Sequence, residues 1–173
     1  KKNDVKYWRG ILGNPSKELA PEMRALAIKM LFKNGAITSD ELLQIAKSSP
    51  YHNVRMEAFV TNRQIADENF TDALKIALQD SYEIVRRLAA ATASKNGSPE
   101  LVPYLVKMIV DPLTSQREDF HAGMGLRTFD AETVIAEMEK VRGNYSQWFT
   151  DEKFESLAKR LRASQASNGK DYA

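Results

Sequence analysis

His52 and His121 are the only histidines in the 173-residue chain, and they are the side chains best suited to proton transfer or metal ligation near neutral pH. Zinc needs three or four converging ligands, and the chain contains no cysteine to complete such a set, so no metal site is expected. Ser115, Asp119 and His121 are of the types used in nucleophilic catalysis. The serine and the aspartate lie six and two residues from the histidine, however, and those separations do not share one helix face. Nothing around Ser115 supplies a strained nucleophile turn. His121 is therefore expected on a helix surface or in packing. Gly123-Met124-Gly125 lacks the third glycine and the preceding strand of a dinucleotide loop, and reads as close helix packing or a local bend. The chain is expected not to be an enzyme and to carry no cofactor.

Arginines offer another chemistry, phosphate binding. Arg24, Arg55, Arg86 and Arg117 stand 31 residues apart, and Ala27, Ala58 and Ala89 and then Leu43, Leu74 and Leu105 follow the same interval. Three ladders in one register mark an internal repeat of helix pairs. Constant spacing is what structural packing alone produces, so the arginines are expected to be a structural ladder. The charge balance agrees: 25 basic and 23 acidic residues give a net charge of +2, with both signs interleaved along the chain. Nucleic acid binding is not expected from such a pattern. No apolar run approaches the ~20 residues of a membrane span, so no membrane insertion is expected. Without cysteines, the composition leaves the compartment open between cytoplasm and periplasm.

Stepping from these residues to the helices that carry them, the period divides residues 16–142 into four helical hairpins. In the first, Met23, Leu26, Ala27, Met30 and Leu31 mark one face of a helix that stops at Asn34-Gly35, and Thr38-Ser39-Asp40 start its partner. In the third, Asn96-Gly97 stop a helix through Ala89 and Ala93, and Ser98-Pro99-Glu100 start the next. The fourth is irregular, with Phe120 in the place of the repeating alanine and two helix-weakening glycines, Gly123 and Gly125. Residues 1–15 read as the second helix of a preceding partial repeat, 143–163 as a C-terminal cap and 164–173 as a disordered tail. The expected architecture is an all-α, right-handed α-α superhelix. The chain itself reads as a fragment of a larger protein.

Helix pairs of this length, with Asp80 six residues before Arg86 and the run Val85-Arg86-Arg87-Leu88-Ala89-Ala90-Ala91 opening a helix, resemble HEAT repeats of the short bacterial kind. Asp111 and Arg117 repeat the six-residue offset; Glu18 stands at that offset from Arg24, and Ser49 replaces the acid before Arg55. The resemblance implies that the arginines hydrogen-bond turns and neighbouring repeats. It also implies that second helices line a concave face where partners bind. Helical spacing places Glu41, Gln44, Asp72, Lys75 and Gln79 there as a polar row, followed by an apolar end at Pro103, Val106 and Val110. The segment with Tyr145, Trp148 and Phe149 and the following helix are expected to pack over that apolar end. The function so implied is protein-protein interaction or scaffolding, with a protein, a peptide or another domain of the same polypeptide as partner. Val5-Lys6-Tyr7-Trp8 also resembles a stretch in HEAT regions appended to some bacterial sulfatases, which would make the chain an appendage of an enzyme. A HEAT-like fold occurs too in alkylpurine DNA glycosylases, but those need a basic concave track, and this inner row carries Glu41, Asp72 and Glu137 against Lys75.

Overall fold

The computed structural model describes residues 4–145 and 147–168. Among them the fold is all-α, with no strand. The chain forms two compact units, Lys1–Val85 and Arg86–Ala173. The first holds α1 (Val5–Leu12), α2 (Pro21–Lys33), α3 (Ser39–Ser48), α4 (His52–Ile65) and α5 (Phe70–Leu78). Helix α6 (Glu83–Asn96) leads into the second, which contains α7 (Val102–Val110), α8 (Gln116–Leu126), α9 (Ala131–Arg142) and α10 (Asp151–Asn168).

Local signals set the helix ends. Pro21 opens α2, where its missing N–H is no loss, and Gly35 at φ 62° reverses the chain so that the Ala36 N–H can return to the Leu31 carbonyl. Thr38 and Glu41 form a reciprocal capping box at α3, and Ser115 and Glu118 form one at α8. Asp130 caps α9 by accepting from the Thr133 N–H.

In the first unit α2 packs on α1 and α4, and α3 packs on α4 and α5. Trp8, Ala27, Ile28, Leu31, Leu42 and Ala58 meet in its core. Burying these side chains contributes on the order of 1.5 to 3 kcal/mol for each large one. In the second unit α7 packs on α8 and α9, and α9 carries α10. The alanine and leucine ladders are buried at every rung, from Ala27 and Leu43 to Ala89 and Leu105.

Three expectations are corrected. Leu26 is exposed, because the buried face of α2 is centred on Arg24, Ala27, Ile28 and Leu31. Ser98 makes no side-chain cap; Pro99–Leu101 form a 3-10 turn instead, and α7 starts only after it. Helix α10 continues through Asn168, with Gln165 Nε2 donating to the Phe129 carbonyl at 3.0 Å, whereas residues from 164 onward were expected as tail. Residues 169–173 lie outside the described residues.

The fourth repeat departs in phase. Val54, Ala58 and Asn62 of α4 are buried, and Val85, Ala89 and Ala93 of α6 follow them at 31 residues. In α8 the corresponding buried residues are Glu118, Ala122 and Leu126, at 33, beside a buried Gly125. Leu105 still keeps the period, so two residues beyond the period enter between Leu105 and Glu118. At about 100° per residue, two residues turn the pattern roughly 200° around the helix.

Candidate functional site

Three of the four ladder arginines hydrogen-bond to nearby turns or acids. Arg24 is buried and donates to the carbonyls of Leu19, Asn14 and Ser16 at 2.7, 2.9 and 2.6 Å, with Tyr51 against its guanidinium. Arg55 forms a fork onto Asp80, Nε to Oδ2 and Nη2 to Oδ1 both at 2.7 Å, and reaches the Ser49 carbonyl with Nη1. The acid before one arginine thus serves the arginine of the preceding repeat. Hydrogen bonding to Asp80 holds the Arg55 pKa above its usual value. Arg86 donates from Nε to Glu118 Oε1, while Glu118 Oε2 accepts from the Ser115 N–H. Burial pushes the Glu118 carboxyl upward, but the bonds from Arg86 and Ser115 outweigh it and leave the pKa below the ordinary value. Arg117 is a correction: it is exposed, because the phase slip moves it off the packed face.

Glu41 and Gln44 line a cleft of about 650 Å³ in the first unit, between the α1–α2 turn and the α3–α4 turn. Three of its charged side chains, Arg9, Arg24 and Glu41, are already engaged. Arg9 donates to both Glu41 oxygens and to the Ala36 carbonyl, and the Arg24 hydrogen bonds go to backbone. Asp72 and Lys75 on α5 and Gln79 at its C-cap lie outside that lining; Lys75 pairs with Asp72, and Gln79 donates to the Lys75 carbonyl. Pro103 is exposed, but Val106 and Val110 are buried and cannot touch a partner. Helix α7, which carries them, packs on α8 and α9. The C-terminal helix packs on α9, in the fourth repeat, with Phe154, Ala158 and Leu161 buried.

A second concavity, of about 750 Å³, lies within the second unit between α8 and α10. Along α8 and its C-cap its wall is Asp119, Phe120, Gly123, Met124 and Arg127, residues three and four apart and so on one face. Lys153, Ser156, Leu157 and Arg160 do the same on α10, and Trp148 closes one side from the preceding turn. Phe120 is 64% exposed, Met124 45% and Trp148 57%, three large apolar side chains on one groove. Gly123 is open: a Cβ added there meets nothing within 4 Å. Gly125, one face away, is closed against Leu105 and the Ala90 carbonyl, the close packing expected for the glycine pair. Burial raises the Asp119 pKa, and Arg160 and Lys153 offset that only partly.

Ser115 and the two histidines make local contacts. Ser115 is spent on the α8 cap, accepting from the Glu118 N–H, and His121 lies edge-on to Phe120. His52 stacks on Tyr82 with ring centroids 3.8 Å apart. Among the described residues, no three metal-ligating side chains converge. No helix of the described residues is long and apolar enough to cross a membrane.

Sequence reasoning missed the α8–α10 groove. The signal was present in Phe120 displacing the repeating alanine, but reading it required the two-residue slip. Fold and groove together define an all-α protein of sequentially packed helices with one aromatic-lined opening in its second unit. Compared with protein families, curated proteins and solved structures, the chain matches none.

Proposed function

We propose that this chain is a non-enzymatic protein-interaction module of HEAT-like helix pairs, and that its binding site is the groove between α8 and α10. The convergence of Phe120, Met124 and Trp148 on that groove carries the reading. Large apolar side chains held in the open along one concavity gain the most from being covered by a partner, and aromatic side chains and methionine are enriched where protein partners dock. The partner is a protein segment, from another chain or from another domain of the same polypeptide. The arginine hydrogen bonds to neighbouring turns support the HEAT-like reading, since that ladder is what the resemblance implies.

The test is selection of peptides from a displayed random library on the immobilised chain, repeated with a Phe120→Ala, Met124→Ala, Trp148→Ala triple variant. Enrichment on the native chain that disappears on the variant supports the reading. Enrichment that persists, or none at all, rules out this groove as the site.

A further inference from the structure

We infer that the occupant of the α8–α10 groove is an acidic amphipathic α-helix, laid along α8 with its closest approach over Gly123. This deepens the proposed function and rests on the groove being the binding site. The walls are two helical faces, with contact residues recurring at three- and four-residue steps on both α8 and α10. Such a trough fits a third helix, whose own apolar stripe recurs at the same steps. Gly123 adds the second observation. Glycine in a helix interior costs about 0.5 to 1 kcal/mol relative to alanine, and nothing in the fold requires it, since an added Cβ meets open space. A missing side chain in the middle of the wall lets another backbone come close.

Charge selects the sign of the occupant. Arg127, Lys153 and Arg160 are exposed around the groove, and their hydrogen bonds go to the Met124 sulfur, the Trp148 carbonyl and Ser156. Among the described residues, none of the three forms a salt bridge. Asp119 and Glu152 line the same groove, so these five groups together carry a net charge of +1. Three cations around an apolar floor suit carboxylates on the flanks of an apolar stripe. Helix α8 is 11 residues long, about 16 Å, so the occupant needs roughly three turns.

Labelled synthetic peptides, titrated by fluorescence anisotropy into the full chain, test this. One has Leu and Phe at i, i+3, i+4 and i+7 with Glu at its flanks, a second has Lys for Glu, and a third is the acidic peptide with a central Pro. The acidic helix is expected to bind at least about tenfold tighter than the other two, and less tightly as salt rises. Gly123→Leu should weaken it by about tenfold or more with an unchanged or higher melting temperature, since the new side chain points into open groove. Lys153→Glu with Arg160→Glu should reverse the preference toward the basic peptide. Equal binding of the three peptides, or full binding to Gly123→Leu, overturns the acidic helix; the groove reading then survives only if Phe120→Ala and Trp148→Ala still abolish binding. Displacement of the acidic peptide by a single-stranded oligonucleotide assigns the groove to nucleic acid, and self-association abolished by Phe120→Asp assigns it to a second copy; either result overturns the inference. Failure of every peptide, together with failed library selection, overturns both readings.

Discussion

Arginines that look equivalent in sequence have unequal surroundings, and substitution should reveal it. Arg24→Ala leaves three carbonyls of a packed turn without their donor and should lower stability by on the order of 2 to 3 kcal/mol. Arg117→Ala should stay within about 0.5 kcal/mol of the native chain, as for an ordinary surface position. Urea denaturation of both variants decides this; equal losses would mean that the 31-residue register continues through α8. Glu118 is the other strongly placed charge, with its side chain 1% exposed against 24% for Arg86. Glu118→Gln should cost near the lower end of the about 3 to 5 kcal/mol seen for a broken buried pair, because Arg86 keeps some water. Its pKa is lower folded than unfolded, so its contribution is complete above the usual glutamate value of 4.5 and fades as pH falls through the folded pKa. The acid limb of a stability-pH curve below about 4.5 should therefore be shallower in Glu118→Gln than in the native chain.

At the level of helices, the ends and the small-residue ladders were legible because each is decided locally. Gly35 and Gly97 stop α2 and α6 in the left-handed region, and Thr38 and Asp130 cap by contacts three residues away. What was not legible was the rotation of α8, which depends on loop length and on which helices it meets. The Ser115-x-x-Glu118 capping box is a local signal that went unread, and the same glutamate as a buried partner of Arg86 needs a contact 32 residues distant. Val106 and Val110 were placed outward for a related reason: they obey helical spacing, but α7 packs on both α8 and α9, and the two side chains are buried. The two glycines of α8 should separate cleanly. Gly123→Ala should stabilise by about 0.5 to 1 kcal/mol, and Gly125→Leu should destabilise by about 1 to 3 kcal/mol, since even a Cβ there lies 3.3 Å from Leu105. Thermal melts of the two variants moving in the same direction would contradict this assignment of open and closed faces.

For the molecule as a whole, the leucine ladder and the last helix carry separate burdens. Leu74 is fully buried in the first unit, so Leu74→Ala should cost about 2 to 5 kcal/mol through the cavity it leaves. Removing residues 143–173 takes away Phe149, Phe154, Ala158 and Leu161, all buried, and uncovers the side of α9 on which α10 packs. The truncated chain should bind an apolar dye and self-associate in sedimentation, while a monomer of native stability would show α10 to be dispensable. The same deletion removes one wall of the groove, so any peptide that binds the full chain there should be lost with it.

The stretch between Leu105 and Glu118 acts as a rotary index. A fixed period would have set Phe120 in the position that Ala89 occupies, inside the packing, and two additional residues turn that stripe outward without altering any side chain of α8. The length of that stretch thus becomes a coordinate in its own right: insertions or deletions between Val110 and Ser115 would dial different faces of one unchanged helix toward solvent. A lineage could reach a new surface by counting residues, with no substitution in the helix that presents it.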